Sequence, residues 1–194
     1  TLTTQQQTVG IGNGVGQFLV GNKNTLVGYN VLTQNTHATS DRNTIVGQRC
    51  CRASSTNQVN RNVVMGDECL VNSTAAAINN VLIGSGILAS EVASSCNSNT
   101  ILGHFAMVLA TGAINNCILI GDFVAPNAVG NTLSNLIAIC PNGTTLPASP
   151  LTNGIILGNS TMTAFYCPAT CFSTNGPVSV SNGFLSSAYS KGGF

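Results

Sequence analysis

Short apolar runs punctuate the chain at even intervals, each opened by Asn and closed by Gly. Asn24-Thr25-Leu26-Val27-Gly28 recurs as Asn43-Thr44-Ile45-Val46-Gly47, Asn62-Val63-Val64-Met65-Gly66, Asn80-Val81-Leu82-Ile83-Gly84 and Asn99-Thr100-Ile101-Leu102-Gly103. A form one position longer follows, as Asn116-Cys117-Ile118-Leu119-Ile120-Gly121, Asn135-Leu136-Ile137-Ala138-Ile139-Cys140 and Asn153-Gly154-Ile155-Ile156-Leu157-Gly158. The closing position falls at 28, 47, 66, 84, 103, 121, 140 and 158, so the unit varies in length by a single position and repeats in register. A second apolar patch lies three and four positions further on: Val31-Leu32, Cys50-Cys51, Cys69-Leu70, Ile87-Leu88, Ala106-Met107 and Val124-Ala125. Polar stretches rich in Asn, Ser, Thr and Ala lead to the next unit. Each unit predicts a short β-branched strand, a glycine corner, a second short strand and a polar return loop. A helix is excluded, because the apolar runs are short, β-branched and not continued at helical spacing.

A unit this small cannot bury its own apolar face, and stacking equivalent strands in parallel solves the problem. The fold class expected is therefore all-β: a parallel β-solenoid (β-roll or β-helix) of about eight 18–19-residue coils, roughly 40 Å long at the spacing of sheet strands. Equivalent residues then form columns. Asn24, Asn43, Asn62, Asn80 and Asn99 would make an Asn ladder with amides bonded along the stack. The glycine column would supply either positive φ or close backbone approach. Cys140 interrupts that column, which favours close approach or a relaxed corner over a strict left-handed requirement.

Consecutive apolar residues on a strand point to opposite faces. Leu26-Val27, Ile45-Val46, Val64-Met65, Leu82-Ile83 and Ile101-Leu102 thus place aliphatic groups inside and outside the same strands, as do Ile118-Leu119-Ile120 and Ile155-Ile156-Leu157. A lone coil covers only its inner face, and the outer stripe would be a large exposed patch. Identical chains are the simplest cover, so the expected assembly is a parallel homotrimer with these strands lining its axis. The alternative is that the outward residues lie under loops of their own chain.

The run Asn24-Thr25-Leu26-Val27-Gly28-Tyr29-Asn30-Val31-Leu32, returning at Asn43-Thr44-Ile45-Val46-Gly47, resembles repeats of phage and large-virus tail-fibre-like proteins. Those repeats are similar in turn to the head repeats of trimeric autotransporter adhesins. The resemblance covers about Asn24 to Gly158 and implies a trimeric β-solenoid or β-roll stalk or head used in attachment, on a virion surface or outside a cell. It implies a cell-surface receptor or glycan partner at one end, and no catalytic residues in the repeats. The chain departs from that pattern in its cysteines, in the longer units after Asn116 and at Cys140.

Three regions are expected: 1–23 as an N-terminal cap or degenerate first coil, 24–159 as the solenoid, and 160–194 as a C-terminal cap or tip. Val9-Gly10 precedes Val27-Gly28 by one unit, in step with the repeat. Beyond Ser160 the period is lost and aromatic residues gather: Phe165, Tyr166, Phe172, Phe184, Tyr189 and Phe194. Such a cluster serves either as an interface anchor or as a plug over the open core. The chain begins at Thr1 without a leading Met or a signal peptide, and reads as a fragment or a processed product.

Composition narrows the function. Of 194 residues only 6% are charged, against about 25% in an ordinary domain. A net charge of +1 leaves no basic cluster for nucleic acid and no polybasic membrane segment. The apolar runs are far shorter than the ~20 residues that a membrane helix needs. Disorder is excluded by a hydrophobic content of 43%.

Eight cysteines invite a metal or disulfide reading. Cys50 and Cys69 share the offset of Val31, Ile87 and Val124 and read as small buried hydrophobes of one column. Cys50 and Cys51, being adjacent, are expected on opposite faces and so cannot chelate together. Cys167 and Cys171 lack the spacing of a zinc site and are a candidate disulfide. His37 and His104 have no carboxylate or thiol neighbour in sequence and read as solvated. Gly84-Ser85-Gly86 is not a nucleophile elbow, and Gly10-Ile11-Gly12-Asn13-Gly14 lacks the strand-to-helix context of a phosphate loop. Asp67-Glu68 is not a catalytic carboxylate pair, since adjacent residues split across a strand. Asn72, Asn142 and Asn159 match the glycosylation pattern.

The reading is a non-enzymatic structural fibre or adhesin module without cofactor or metal. Two other classes compete. A left-handed β-helix acyltransferase has coils of similar length, but needs an aliphatic residue at every sixth position, and each unit here holds a long polar stretch without one. An ice-binding solenoid needs a regular threonine face, and Val63, Val81 and Cys117 interrupt the column of Thr25, Thr44 and Thr100.

Overall fold

The computed structural model describes residues 7–33, 40–51, 58–70, 76–87, 95–106, 112–126, 132–140, 145–146 and 151–157. Backbone contacts divide the chain after Thr161, and all described residues lie before that point. The aromatic tail, Cys167, Cys171, His37 and the acceptor asparagines 72, 142 and 159 lie outside them.

The strands run in chain order as β1 (Val9–Asn13), β2 (Thr25–Tyr29), β3 (Thr44–Gln48), β4 (Val59–Asn60), β5 (Val63–Asp67), β6 (Ala77–Ile78), β7 (Val81–Ser85), β8 (Cys96–Asn97) and β9 (Thr100–His104). They continue as β10 (Ile114–Asn115), β11 (Ile118–Ile120), β12 (Ala125–Pro126), β13 (Leu133–Ile139), β14 (Thr145–Leu146) and β15 (Leu151–Leu157). The protein is all-β, and every described pairing is parallel. The longer strands stack in the order β1-β2-β3-β5-β7-β9-β11-β13-β15. The short strands β4, β6, β8 and β10 form a second ladder that joins the start of β13. Five successive turns thus carry both ladders, which makes the chain a β-solenoid.

The period fixes the register. Thr25 pairs with Thr44, Thr44 with Val63, Val63 with Val81, Val81 with Thr100 and Thr100 with Ile118, so the sequence repeats superpose residue for residue.

Each turn is closed by left-handed residues, and their places correct the expected outline of the unit. At the equivalent corner of each coil sits one residue at φ 53–59°: Lys23 and Arg42 ahead of the long strand, Arg61, Asn79, Ser98 and Asn116 between the short and the long strand, and Asn135 and Asn153 within β13 and β15. Asn116 therefore succeeds Ser98, not Asn99; β11 has only three residues, while β13 and β15 run to seven because short and long strand are continuous there. The Asn of the longer units has moved back one place to the corner, where Asn tolerates the left-handed conformation. Past the long strand come further left-handed residues, Asn30, Arg49, Glu68, Phe105 and Phe123, then Leu32, Cys51 and Leu70. These make the turn where a glycine corner and a second strand were expected. Val31-Leu32, Cys50-Cys51 and Cys69-Leu70 are pairs of buried turn residues, and among the described residues only Ala125–Pro126 in that patch forms a strand, paired with Thr145–Leu146.

The glycines lie inside the strands. Gly28, Gly47, Gly66, Gly84, Gly103 and Gly121 have φ between 138° and 149°. A Cβ at any of them would sit 1.5–1.9 Å from the carbonyl oxygen of the residue one coil later. Positive φ and close approach act together, so the left-handed requirement that Cys140 argued against is real for the six glycines before it. Cys140 supplies the carbonyl over Gly121 and does not itself adopt positive φ.

The core is a bundle of columns. Leu26, Ile45, Val64, Leu82, Ile101, Leu119 and Ala138 line the inner face of the long strands and are wholly buried. Val31, Cys50, Cys69, Ile87, Ala106 and Val124 form the next column, and Val59, Ala77, Cys96, Ile114 and Leu133 the one under the short strands. Each large aliphatic group hidden in this way contributes about 1.5–3 kcal/mol before its ordering entropy is counted. At the first rung Gly10 stands over Leu26, and Val15 with Leu19 packs into the space.

Candidate functional site

Two surfaces carry the residues singled out from sequence, and strand alternation decides which side each takes. In every long strand from β2 to β11 the central aliphatic of the run points inward and its two neighbours point outward. Leu26, Ile45, Val64, Leu82, Ile101 and Leu119 are consumed by the chain's own core, with no exposure. Val27, Val46, Met65, Ile83, Leu102, Ile118, Ile120, Ile155 and Leu157 face outward, half-buried or exposed. Ile156 packs partly against the core. The aliphatics expected along an axis thus divide between an interior and a surface.

The outer face carries two columns, one mixing Thr with Val and Ile and the other apolar throughout. One runs Val9, Thr25, Thr44, Val63, Val81, Thr100, Ile118, Ile137 and Ile155; the other runs Ile11, Val27, Val46, Met65, Ile83, Leu102, Ile120, Ile139 and Leu157. Exposure along them reaches 61% at Ile11 and 68% at Ile155. No described loop of the chain shelters them. Nine rungs at ~4.8 Å make a stripe about 40 Å long, of a size that marks an interaction surface on a soluble protein.

A polar column borders the stripe: Tyr29, Gln48, Asp67, Ser85 and His104 at the ends of the strands, then Asp122. His104 keeps the solvated surface position expected from sequence, its side chain 50% exposed, but it is not without a partner. Its Nδ1 lies 3.1 Å from an Asp122 carboxylate oxygen one coil on. Its ring lies 4.0 Å from that of Phe105 and meets Phe123 edge-on. Arg49 and Glu68 form a second ion pair one coil apart, both half-exposed. These contacts escape a search along the sequence for near neighbours, yet each spans a single repeat unit, the separation to which the period itself points.

Inside the rod the asparagines form a continuous hydrogen-bonded ladder. The Nδ2 groups of Asn43, Asn62, Asn80 and Asn99 each donate to the Oδ1 of the preceding Asn, at 2.9–3.1 Å. Their backbone N–H groups donate to the same oxygens at 2.9–3.0 Å. Each Nδ2 also donates to the carbonyl of Val59, Ala77, Cys96 or Ile114 at 2.8 Å. Every amide is therefore satisfied while buried, the condition under which interior polar groups are stable. The ladder begins against Thr8, whose Oγ1 accepts the Asn24 N–H, and ends where Cys117 N–H donates to Asn99 Oδ1.

The cysteines follow the columns. Cys50 and Cys51 are both buried. The expectation that they point to opposite faces fails, because the left-handed conformations of Arg49 and Cys51 wrap the chain around the interior. Burial pushes the thiols of Cys51 and Cys117 up. Among the described residues no group of three or more His, Cys, Asp or Glu is placed to hold a metal ion, and no helix is long and apolar enough to cross a membrane.

Comparison with known proteins leaves the geometry to speak for itself: no family model, no curated protein and no solved structure matches this chain.

Proposed function

We propose that the chain is a non-enzymatic structural module, a rod of eight 18–19-residue coils that assembles as a parallel homotrimer for attachment or surface display. The observation that carries this reading is the aliphatic stripe left open along the outer face of the long strands. A trimer gives every protomer two neighbours, and two columns per protomer suit that arrangement: the Thr25–Ile155 column of one chain meets the Val27–Leu157 column of the next, closing a ring of like contacts. The likeness of the repeat to tail-fibre and trimeric adhesin-head repeats supports the same assembly and a setting on a virion or outside a cell. An uncharged rod of this kind presents a receptor or glycan ligand at one end rather than along a cleft.

Sedimentation equilibrium at micromolar concentration tests the assembly. The expected mass is three times the 19.8 kDa of the chain. Ile83→Asp, on the outer face, should yield monomers with an unchanged β-sheet circular dichroism spectrum, whereas a wild-type monomer at that concentration overturns the proposal.

A further inference from the structure

Six cysteines lie among the described residues, and all are buried. Their columns separate one pair from the rest. Adjacent coils place Leu32 and Leu70 beside Cys51, Ala77 and Ile114 beside Cys96, Asn99 and Leu136 beside Cys117, and Gly121 before Cys140. Among the described residues Cys50 alone has a cysteine, Cys69, at the equivalent place on the next coil.

The backbone sets that pair closely. Glu68 N–H donates to the Gln48 carbonyl at 2.9 Å, and Cys51 N–H donates to the Cys69 carbonyl at 2.8 Å. These bonds bracket the two residues and hold them in direct register. Their Cα atoms are therefore one strand spacing apart, about 4.8 Å, inside the ~4.4–6.8 Å range that a disulfide spans. Both sulfurs lean the same way along the rod: Cys50 Sγ contacts the Gly66 carbonyl oxygen and Cys69 Sγ that of Gly84, each at 3.3 Å.

We infer that Cys50 and Cys69 are a redox-modifiable pair that closes a cross-coil disulfide between the third and fourth long strands of the sheet when the chain folds in the presence of a small disulfide such as oxidised glutathione. The Cys50 thiolate attacks one sulfur of the small disulfide, forming a mixed disulfide, and the expelled thiolate takes up the proton that Cys50 gave. The Cys69 sulfur then attacks Cys50 Sγ, the second small thiolate leaves, and it takes the Cys69 proton. The chain loses two electrons and two protons; the small disulfide gains them as two thiols. The balance is the same with the roles of the two sulfurs exchanged. Both residues are wholly buried in the finished rod, so attack on the small disulfide belongs to the interval before the β5 coil closes over the β3 coil, and attack by the second sulfur to the closing that brings the two into register. The link then records the redox setting in which the chain folded.

The test refolds the full chain from urea in mixed oxidised and reduced glutathione, quenches with an alkylating reagent under denaturing conditions and maps the peptides. The expected result is a linked pair containing Cys50 and Cys69, with Cys51 alkylated, and a higher urea midpoint that a dithiol reductant reverses. Cys51→Ser should keep the link and Cys69→Ser should abolish it. Alkylation of Cys50 to the same extent as in the fully reduced control, or a link from Cys50 to Cys51 or Cys96, overturns the inference. The wild-type peptide map decides the matter even where a variant fails to fold.

Discussion

The coils from β2 to β9 and those from β11 to β15 share one period and one sheet, yet they are held differently. In the first set, five buried asparagines pass hydrogen bonds from coil to coil. In the second set the same column holds Cys117, Leu136 and Gly154, and the corner that precedes it has taken the Asn. The outer face shifts in parallel, from a mixture of Thr, Val, Met, Ile and Leu to Ile and Leu alone, with Ile155 the most exposed of them. The first region is thus held in register by directional polar bonds within the chain. The second holds apolar groups in that column and passes its Asn–Asn bond, Asn135 Nδ2 to Asn153 Oδ1 at 2.8 Å, through the exposed corner instead.

The sharpest way to break this contrast lies in the glycines. Gly66→Ala drives a Cβ to 1.5 Å from the Gly84 carbonyl oxygen at a φ of 146°. At Gly154 the nearest atom, Leu136 Cδ1, is 3.5 Å away and no positive φ is imposed. Chemical denaturation should show a loss of more than ~4 kcal/mol, or no folded protein at all, for Gly66→Ala, while Gly154→Ala stays within about 1 kcal/mol of wild type. Equal effects at the two sites would end the distinction between the glycine column, which reaches Gly121, and the column that holds Gly154.

The ladder offers the next largest effect. Asn62→Ala leaves the N–H and Nδ2 of Asn80 without their Oδ1 acceptor and the Ala77 carbonyl without its donor. Two or more buried groups left unpaired cost on the order of 2–5 kcal/mol. Cys117→Ala in the distal region removes one sulfur from a packed column and should cost only about 1–2 kcal/mol. Urea midpoints of the two variants measured side by side decide whether polar and apolar registers differ in strength.

A third comparison isolates burial. Arg49 and Glu68 also bond across one coil step, but their side chains are 41% and 42% exposed. Arg49→Gln should change stability by under ~1 kcal/mol, and the difference should shrink further at high salt. A loss approaching that of Asn62→Ala would show that the coil-to-coil bond matters irrespective of solvent.

Much of the architecture is legible in the chain because a solenoid is nearly one-dimensional: the spacing of Gly28, Gly47 and Gly66 is itself the register of β2, β3 and β5. What escapes is the sign of φ. Lys23, Arg42 and Ser98 adopt left-handed corners that carry no residue signature, so a reading of residue types assigns the turn to the glycines, the usual bearers of positive φ. The same blindness aligns Asn116 with Asn99, since Asn serves equally as a buried amide and as a corner residue. Strand alternation misplaces the pair Cys50-Cys51, because that rule lapses where the backbone leaves the extended region. The contact of His104 with Asp122 is within reach of the sequence, because once the period is accepted, groups one unit apart are neighbours.

From Asn43 to Asn99 every Oδ1-directed bond runs the same way, each amide handing one proton to the Asn made before it and the other to a carbonyl made after it. The column therefore has a polarity, and its two extremities are unlike. Deleting the Asn24 side chain would strand both donors of Asn43, whereas deleting that of Asn99 would strand the single N–H of Cys117 and the Ile114 carbonyl. A polypeptide synthesised from its amino end lays down each Oδ1 acceptor ahead of its donors, while the carbonyls of Val59, Ala77, Cys96 and Ile114 arrive after the amides that reach for them, so every rung waits on the next to be completed.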